Sequence, residues 1–204
     1  MLTGRVTETD ASSIARLRAQ GAVLIGKLAT YEFAMVGPDL ALPDPPARNP
    51  WNTAHITGGS SSGSASAVAG GLMRLAIGTD TGGSIRAPAA YCGCVGLKPS
   101  YDRVSRAGAF PLSPGLDHTG PLAATVAEAA LALDALTSRP EDWRPATARL
   151  GQGVSSLRIG FSRDWFADDP QASPALIRAM DDAAAQFSLL GARITLVTLP
   201  DYAP

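Results

Sequence analysis

The feature that most constrains this chain is a glycine- and serine-rich stretch set among apolar segments: ten of its 21 glycines lie between Gly58 and Gly96. Small side chains let backbone segments approach closely and adopt torsions closed to other residues. Gly/Ser richness alone also describes a flexible linker. Here, however, the run Gly58-Gly59-Ser60-Ser61-Ser62-Gly63-Ser64-Ala65 is flanked by apolar residues and helix formers, and Gly78-Thr79-Asp80-Thr81-Gly82-Gly83-Ser84-Ile85-Arg86 follows it. A linker would not alternate so tightly with core-like positions. Apolar residues make up 46% of the chain and charged residues 17%, which suits a packed interior. With 204 residues, one large or two small domains are possible.

Elsewhere the patterning is that of alternating helices and strands. Asp10 is a plausible cap for a helix over 11–20 with Ile14 and Leu17 on its apolar face, and Gly21 ends it. Ala22-Val23-Leu24-Ile25 reads as a buried strand. Residues 36–57, with Pro38, Pro43, Pro45, Pro46 and Pro50, read as loop. A helix is predicted near 63–73 and a short strand at Leu75-Ala76-Ile77. Thr125 and Glu128 have capping-box spacing ahead of an Ala/Leu-rich helix running to about Leu136. After a connecting loop over 138–156 come a strand at 157–161, a helix from Pro174 to about Leu190 capped by Ser173, and a strand from Ile194 to Leu199. This order predicts an α/β fold with a mixed, largely parallel sheet flanked by helices.

Several function classes receive no support. A formal net charge of −1 gives no footprint for nucleic acid or a membrane surface. No segment reaches the roughly 18 apolar residues of a membrane span, and no apolar region follows Met1-Leu2-Thr3-Gly4-Arg5 as in a secretory signal, so the cytoplasm is the expected location. Cys92 and Cys94 are too few and too close for a disulfide framework or zinc site, and no metal or cofactor is expected.

Three chemical readings of the Gly/Ser segment compete. A phosphate-binding loop needs a lysine before its helix, but none lies between Lys27 and Lys98. A nucleophile elbow is formally present in Gly59-Ser60-Ser61-Ser62-Gly63 with Ser61 at its centre; it requires a preceding buried strand, which Thr53–Thr57 makes poorly, and a later histidine, for which only His118 is available. The third reading places the nucleophile at Ser84, where glycine-rich backbone can aim amides at a developing oxyanion. That hydroxyl also needs a base.

These segments, with Ala87-Pro88-Ala89-Ala90, Cys92-Gly93 and Gly96-Leu97-Lys98-Pro99, resemble the amidase signature family. Gly26-Lys27 with Glu32-Phe33-Ala34 resembles its upstream block. Tyr101–Arg106, Leu116-Asp117-His118 and Gly120-Pro121-Leu122 resemble its downstream block. The resemblance is strong over about residues 5–137 and weak beyond. It implies a single partial domain over 1–204, with the signature core at about 50–125 and a strand–helix–strand extension over 157–204. It also implies hydrolysis of a small-molecule amide by a Ser–Ser–Lys triad, with an acyl-enzyme on Ser84 that releases ammonia or an amine. Ser60 would be the bridging serine after a cis Gly59–Ser60 bond. Thr81, Gly82 and Gly83 would line the oxyanion hole, and Asp80 and Arg86 would support the loop.

The resemblance further implies that the triad lysine lies upstream of Lys27, in a block this chain lacks; Lys27 and Lys98, its two lysines, match other family positions. The expectation is therefore a fragment truncated at both ends and inactive by itself. The alternatives are a glutaminase-type A subunit of a tRNA amidotransferase and a non-catalytic remnant. Two departures from the family pattern stand out: Ser62 where glycine is frequent, and Asp102 where glycine is usual, which predicts an altered turn.

Overall fold

The computed structural model describes residues 4, 6–35, 37–38, 47–137 and 143–200. Pro43, Pro45 and Pro46, and the start of the expected 138–156 loop, lie outside the described residues. The chain divides into two compact units, Met1–Leu150 and Gly151–Pro204.

The first unit contains α1 (Ser12–Ala19), α2 (Ser62–Ala69), β1 (Leu75–Asp80), α3 (Arg86–Cys92), β2 (Val95–Gly96), β3 (His118–Ala123) and α4 (Val126–Leu136). Its sheet runs β1-β3-β2, with both pairings antiparallel. In the β1/β3 ladder, Leu75 faces Ala123 at one end and Asp80 faces His118 at the other. Ala65 and Val68 of α2, Ala76 of β1, Ile85, Ala89 and Cys92 around α3, and Leu122 of β3 form the core beneath the Gly/Ser segment. These side chains are mostly small, so helix and strand approach closely. A second cluster joins Leu17 of α1, Val104 and Leu136 of α4.

The second unit pairs β4 (Arg158–Phe161) with β5 (Arg193–Leu196) in parallel, and carries α5 (Arg163–Ala167) and α6 (Pro174–Leu189). Ser173 caps α6 by accepting from the Leu176 amide, and Gly191 follows it at φ +95°. The mixed α/β class is therefore present. Parallel pairing occurs in the second unit, whereas the strands of the first unit reverse direction.

Two local expectations changed. Ala11, not Asp10, occupies the N-cap of α1, and Asp10 instead pairs with Arg18 at 2.8 Å. The run 22–25 is neither strand nor buried: Val23 and Ile25 are 84% and 75% exposed. Among the described residues no strand lies beside it, and a strand without neighbours leaves its backbone groups to water. The 163–167 helix carried too short a pattern to be predicted. At α4, the Thr125 hydroxyl accepts from the Glu128 amide at 3.2 Å and donates to the Glu128 carboxylate at 2.9 Å, so the predicted box closes partly through side chains. Among the described residues, no helix is long and apolar enough to cross a membrane.

Candidate active site

The loop after β1 is shaped by a carboxylate. Asp80 is the last residue of β1 and is fully buried. Its oxygens accept from the amides of Gly83 (2.9 Å), Ile85 (3.2 Å) and Arg86 (3.3 Å). The Arg86 guanidinium closes the ring with two further bonds at 3.0 and 2.9 Å. Burial pushes the Asp80 pKa up, but the Arg86 hydrogen bonds and the Ile85 and Arg86 amides outweigh it, leaving the carboxyl below its ordinary value. The chain is thereby folded back over residues 81–84 into α3. Gly83 takes φ +138°, a torsion that L side chains rarely adopt.

Ser84 sits at the end of this loop, partly buried, next to the fully buried Ile85. Of the three residues expected in an oxyanion hole, Gly83 differs: its N–H is turned to Asp80 and holds the loop. The amides of Gly82 and Ser84 have no acceptor among the described residues. Thr81 donates its hydroxyl to Asp117 at 2.6 Å.

The second half of the site is the turn into α2. The Gly59–Ser60 peptide is cis. A Cβ on Gly59 would overlap the Tyr31 ring, so that ring lies flat against the glycine. The Ser60 carbonyl accepts from the Thr30 hydroxyl (2.7 Å) and the Tyr31 amide (3.1 Å). The Ser61 amide donates to the Ser84 carbonyl at 3.2 Å, which joins the two serine loops directly. The Ser60 hydroxyl is buried and has no hydrogen-bond partner among the described residues.

Ser61 is accounted for structurally. Its hydroxyl donates to the Thr79 carbonyl and accepts from the Thr79 amide, both at 3.2 Å, so it ties α2 to β1 and does not stand free as an elbow nucleophile. Ser62, the departure from glycine, donates to the Ala29 carbonyl at 3.3 Å. His118 turns its ring nitrogen to the Leu116 carbonyl at 2.6 Å. Lys27 is exposed, and Lys98 bonds the Pro99 carbonyl at 2.8 Å. Burial pushes the Cys92 thiol up to about 11, with Cys94 adding to the shift, so it stays protonated and unreactive. Among the described residues no group of three or more His, Cys, Asp or Glu side chains could hold a metal ion.

The strap 29–31 fixes Ser60 from outside α2 and depends on Gly63. A Cβ at Gly63 would lie 2.6 Å from the Ala29 carbonyl oxygen and 2.7 Å from its nitrogen, both backbone atoms that cannot swing aside. In a helix, Gly→Ala ordinarily stabilises by up to about 1 kcal/mol. Here the collision reverses the sign, and Gly63→Ala is expected to cost about 1–3 kcal/mol, read as a lower urea midpoint with unchanged slope.

The structure thus brings the Ser60 and Ser84 loops together through the Ser61–Ser84 backbone bond, with the Ser60 hydroxyl buried. The family model described as Amidase matches residues 1–204, and the chain belongs to that family. The A subunit of glutamyl-tRNA(Gln) amidotransferase from Trichlorobacter lovleyi is 44% identical over 208 residues, an alignment covering 98% of this chain and 42% of that protein. The solved structure of the same kind of protein from Thermotoga maritima superposes with TM-score 0.87 at 33% identity, covering 97% of this chain and 45% of that one. Peptide amidase from Stenotrophomonas maltophilia superposes with TM-score 0.80 at 37% identity, covering 94% and 42%. The chain spans 42–44% of the length of the curated relatives it matches.

Proposed function

We propose that the chain carries the nucleophile and oxyanion half of an amide hydrolase, with Ser84 as nucleophile and Ser60 as proton relay. The observation that carries this reading is the Ser61 amide to Ser84 carbonyl bond, which holds the two serine loops together while leaving the Ser60 hydroxyl buried and unpartnered. A buried hydroxyl without a partner is costly, and such groups persist where chemistry uses them. Ser84 Oγ attacks the amide carbonyl carbon, and its proton passes to Ser60. The carbonyl oxygen becomes an oxyanion facing the amides of Gly82 and Ser84, with Thr81 at the loop's first corner. Collapse of the tetrahedral species returns a proton to the departing nitrogen, releasing ammonia or an amine. Water then hydrolyses the ester on Ser84.

The base that drains Ser60 is proposed to lie outside the described residues, since Lys27 is exposed and Lys98 is engaged elsewhere. An activated ester has a far more electrophilic carbonyl than an amide, and its leaving group departs without a proton. A serine lacking its full base can therefore still be acylated, more slowly. Treating the 204-residue chain with p-nitrophenyl acetate is therefore expected to acetylate Ser84, mapped by peptide mass spectrometry, while simple amides are turned over negligibly. Acetyl groups elsewhere but not on Ser84 refute the nucleophile assignment. Measurable amide hydrolysis abolished by Lys27→Ala makes Lys27 the base instead.

A second reading, the glutamine-hydrolysing A subunit of a tRNA amidotransferase, is favoured by the relatives at 41–44% identity, which carry that amidotransferase name. Glutamine-dependent ammonia transfer in the presence of a partner protein distinguishes it from a free-standing amidase acting on small-molecule amides in the cytoplasm.

A further inference from the structure

The loop that carries Ser84 is held at both feet, and the second hold is unexplained by its chemistry. One foot is Asp80 with its three amides. The other is Thr81. The β1/β3 register ends with Asp80 opposite His118, so Thr81 and Asp117 are the next pair along the two strands. They continue the ladder through side chains: Thr81 Oγ1 donates to Asp117 Oδ1 at 2.6 Å. Asp117 is itself immobilised. Its oxygens accept from the Ser113 amide at 2.9 and 3.0 Å and from the Leu112 amide at 2.9 Å. The Leu116 and Asp117 amides both return to the Ser113 carbonyl at 2.8 Å. Leu112, Pro114 and Asp117 of this closed turn line a cavity of about 210 Å³ together with Thr79 and Thr81.

We propose that Asp117 is a positioning residue: by holding the Thr81 hydroxyl it fixes the first corner of the Ser84 loop and couples that corner to the 112–117 cavity wall. A carboxylate suits this task, because a charge-assisted bond from a hydroxyl is shorter and stiffer than a neutral one. Thr81 has a single hydroxyl hydrogen, so its direction is set by Asp117 alone. With both feet fixed, the Gly82 and Ser84 amides keep one orientation before any substrate arrives, which is what stabilising an oxyanion requires. This inference rests on the Ser84 reading above.

The test compares Thr81→Val, which removes the hydroxyl at constant shape, with Asp117→Asn and the double variant, in the 204-residue chain. Two quantities are read: hydrogen exchange at the Gly83 and Ile85 amides, and the rate of Ser84 acetylation by p-nitrophenyl acetate. Each single variant is expected to speed exchange and slow acetylation by roughly tenfold, with α4 amides unchanged. The double variant should add little to the worse single one, because both act through the Thr81–Asp117 bond, although Asp117→Asn also replaces an acceptor of the Leu112 and Ser113 amides. Thr81→Ser restores the hydroxyl and should recover most of the loss. Unchanged exchange in Thr81→Val overturns the proposal, as does faster exchange with acetylation at the parent rate. If the parent shows no Ser84 acetylation, the nucleophile reading fails instead, and exchange in Thr81→Val still decides whether the bridge holds the loop.

Discussion

Ser84→Ala is expected to eliminate acetylation of the 84-containing peptide, a fall of at least about 10³-fold in single-turnover rate. The size follows from what is removed. In the proposed mechanism this hydroxyl supplies the atom that forms the new bond, and no neighbour substitutes for it: Ser61 is tied to Thr79 on both sides, and Ser60 is buried one loop away. The surrounding backbone should remain intact, because the Ser84 contact with the other loop is made by its carbonyl, which alanine keeps. Melting temperature is thus expected to stay near that of the parent. Ser60→Ala should be milder, about 10²-fold, since it removes a relay and leaves the nucleophile. Equal losses in both variants accompanied by unfolding would contradict this division.

The second large effect concerns stability. Asp80→Ala removes a fully buried carboxylate and leaves the amides of Gly83, Ile85 and Arg86 without their acceptor. Breaking a buried charged network by taking out one partner costs roughly 3–5 kcal/mol. Arg86 is half-exposed, so screening discounts its share and the cost should fall at the lower end, about 3 kcal/mol. Arg86→Ala should cost much less, because the carboxylate keeps its three amide donors. The acid dependence has a definite sign. The Asp80 pKa is lowered from 3.8 in the folded chain, so its contribution is complete above that value and disappears as pH falls through the folded one. Urea midpoints of the parent and Asp80→Asn should therefore differ most at neutral pH and converge as pH falls through the lowered Asp80 pKa. A gap that persists unchanged in acid would show that the carboxylate's charge contributes nothing.

How far the sequence reveals this site depends on the range of the forces involved. The α4 cap at Thr125 and the α6 cap at Ser173 were legible because each bond spans three residues. Asp80 and Arg86, expected from the family resemblance to support the loop, bond across six residues. The run 22–25 misled, because β-branched apolar residues report a liking for a sheet and say nothing about whether a neighbouring strand exists. The Thr81–Asp117 bond spans 36 residues and could be found only once the β1/β3 register was known. The direction of the Gly83 amide was not legible, because it depends on the Asp80 side chain to which it donates. At Asp102, where an altered turn was expected, the residue takes a left-handed φ of +58° and its carboxylate pairs with Arg106 at 2.7 Å.

The residue that follows Ser84, Ile85, is wholly enclosed among Ala65, Ala89 and Leu122. The interior of the first unit thus acts as a keel for the proposed nucleophile, one peptide bond away. Trimming that keel by a single methylene, with a typical cost of about 1 kcal/mol and so far too little to unfold the chain, should change how firmly the hydroxyl is aimed. Selection or design could then alter the rate of this chemistry from beneath, without changing any residue that meets a substrate.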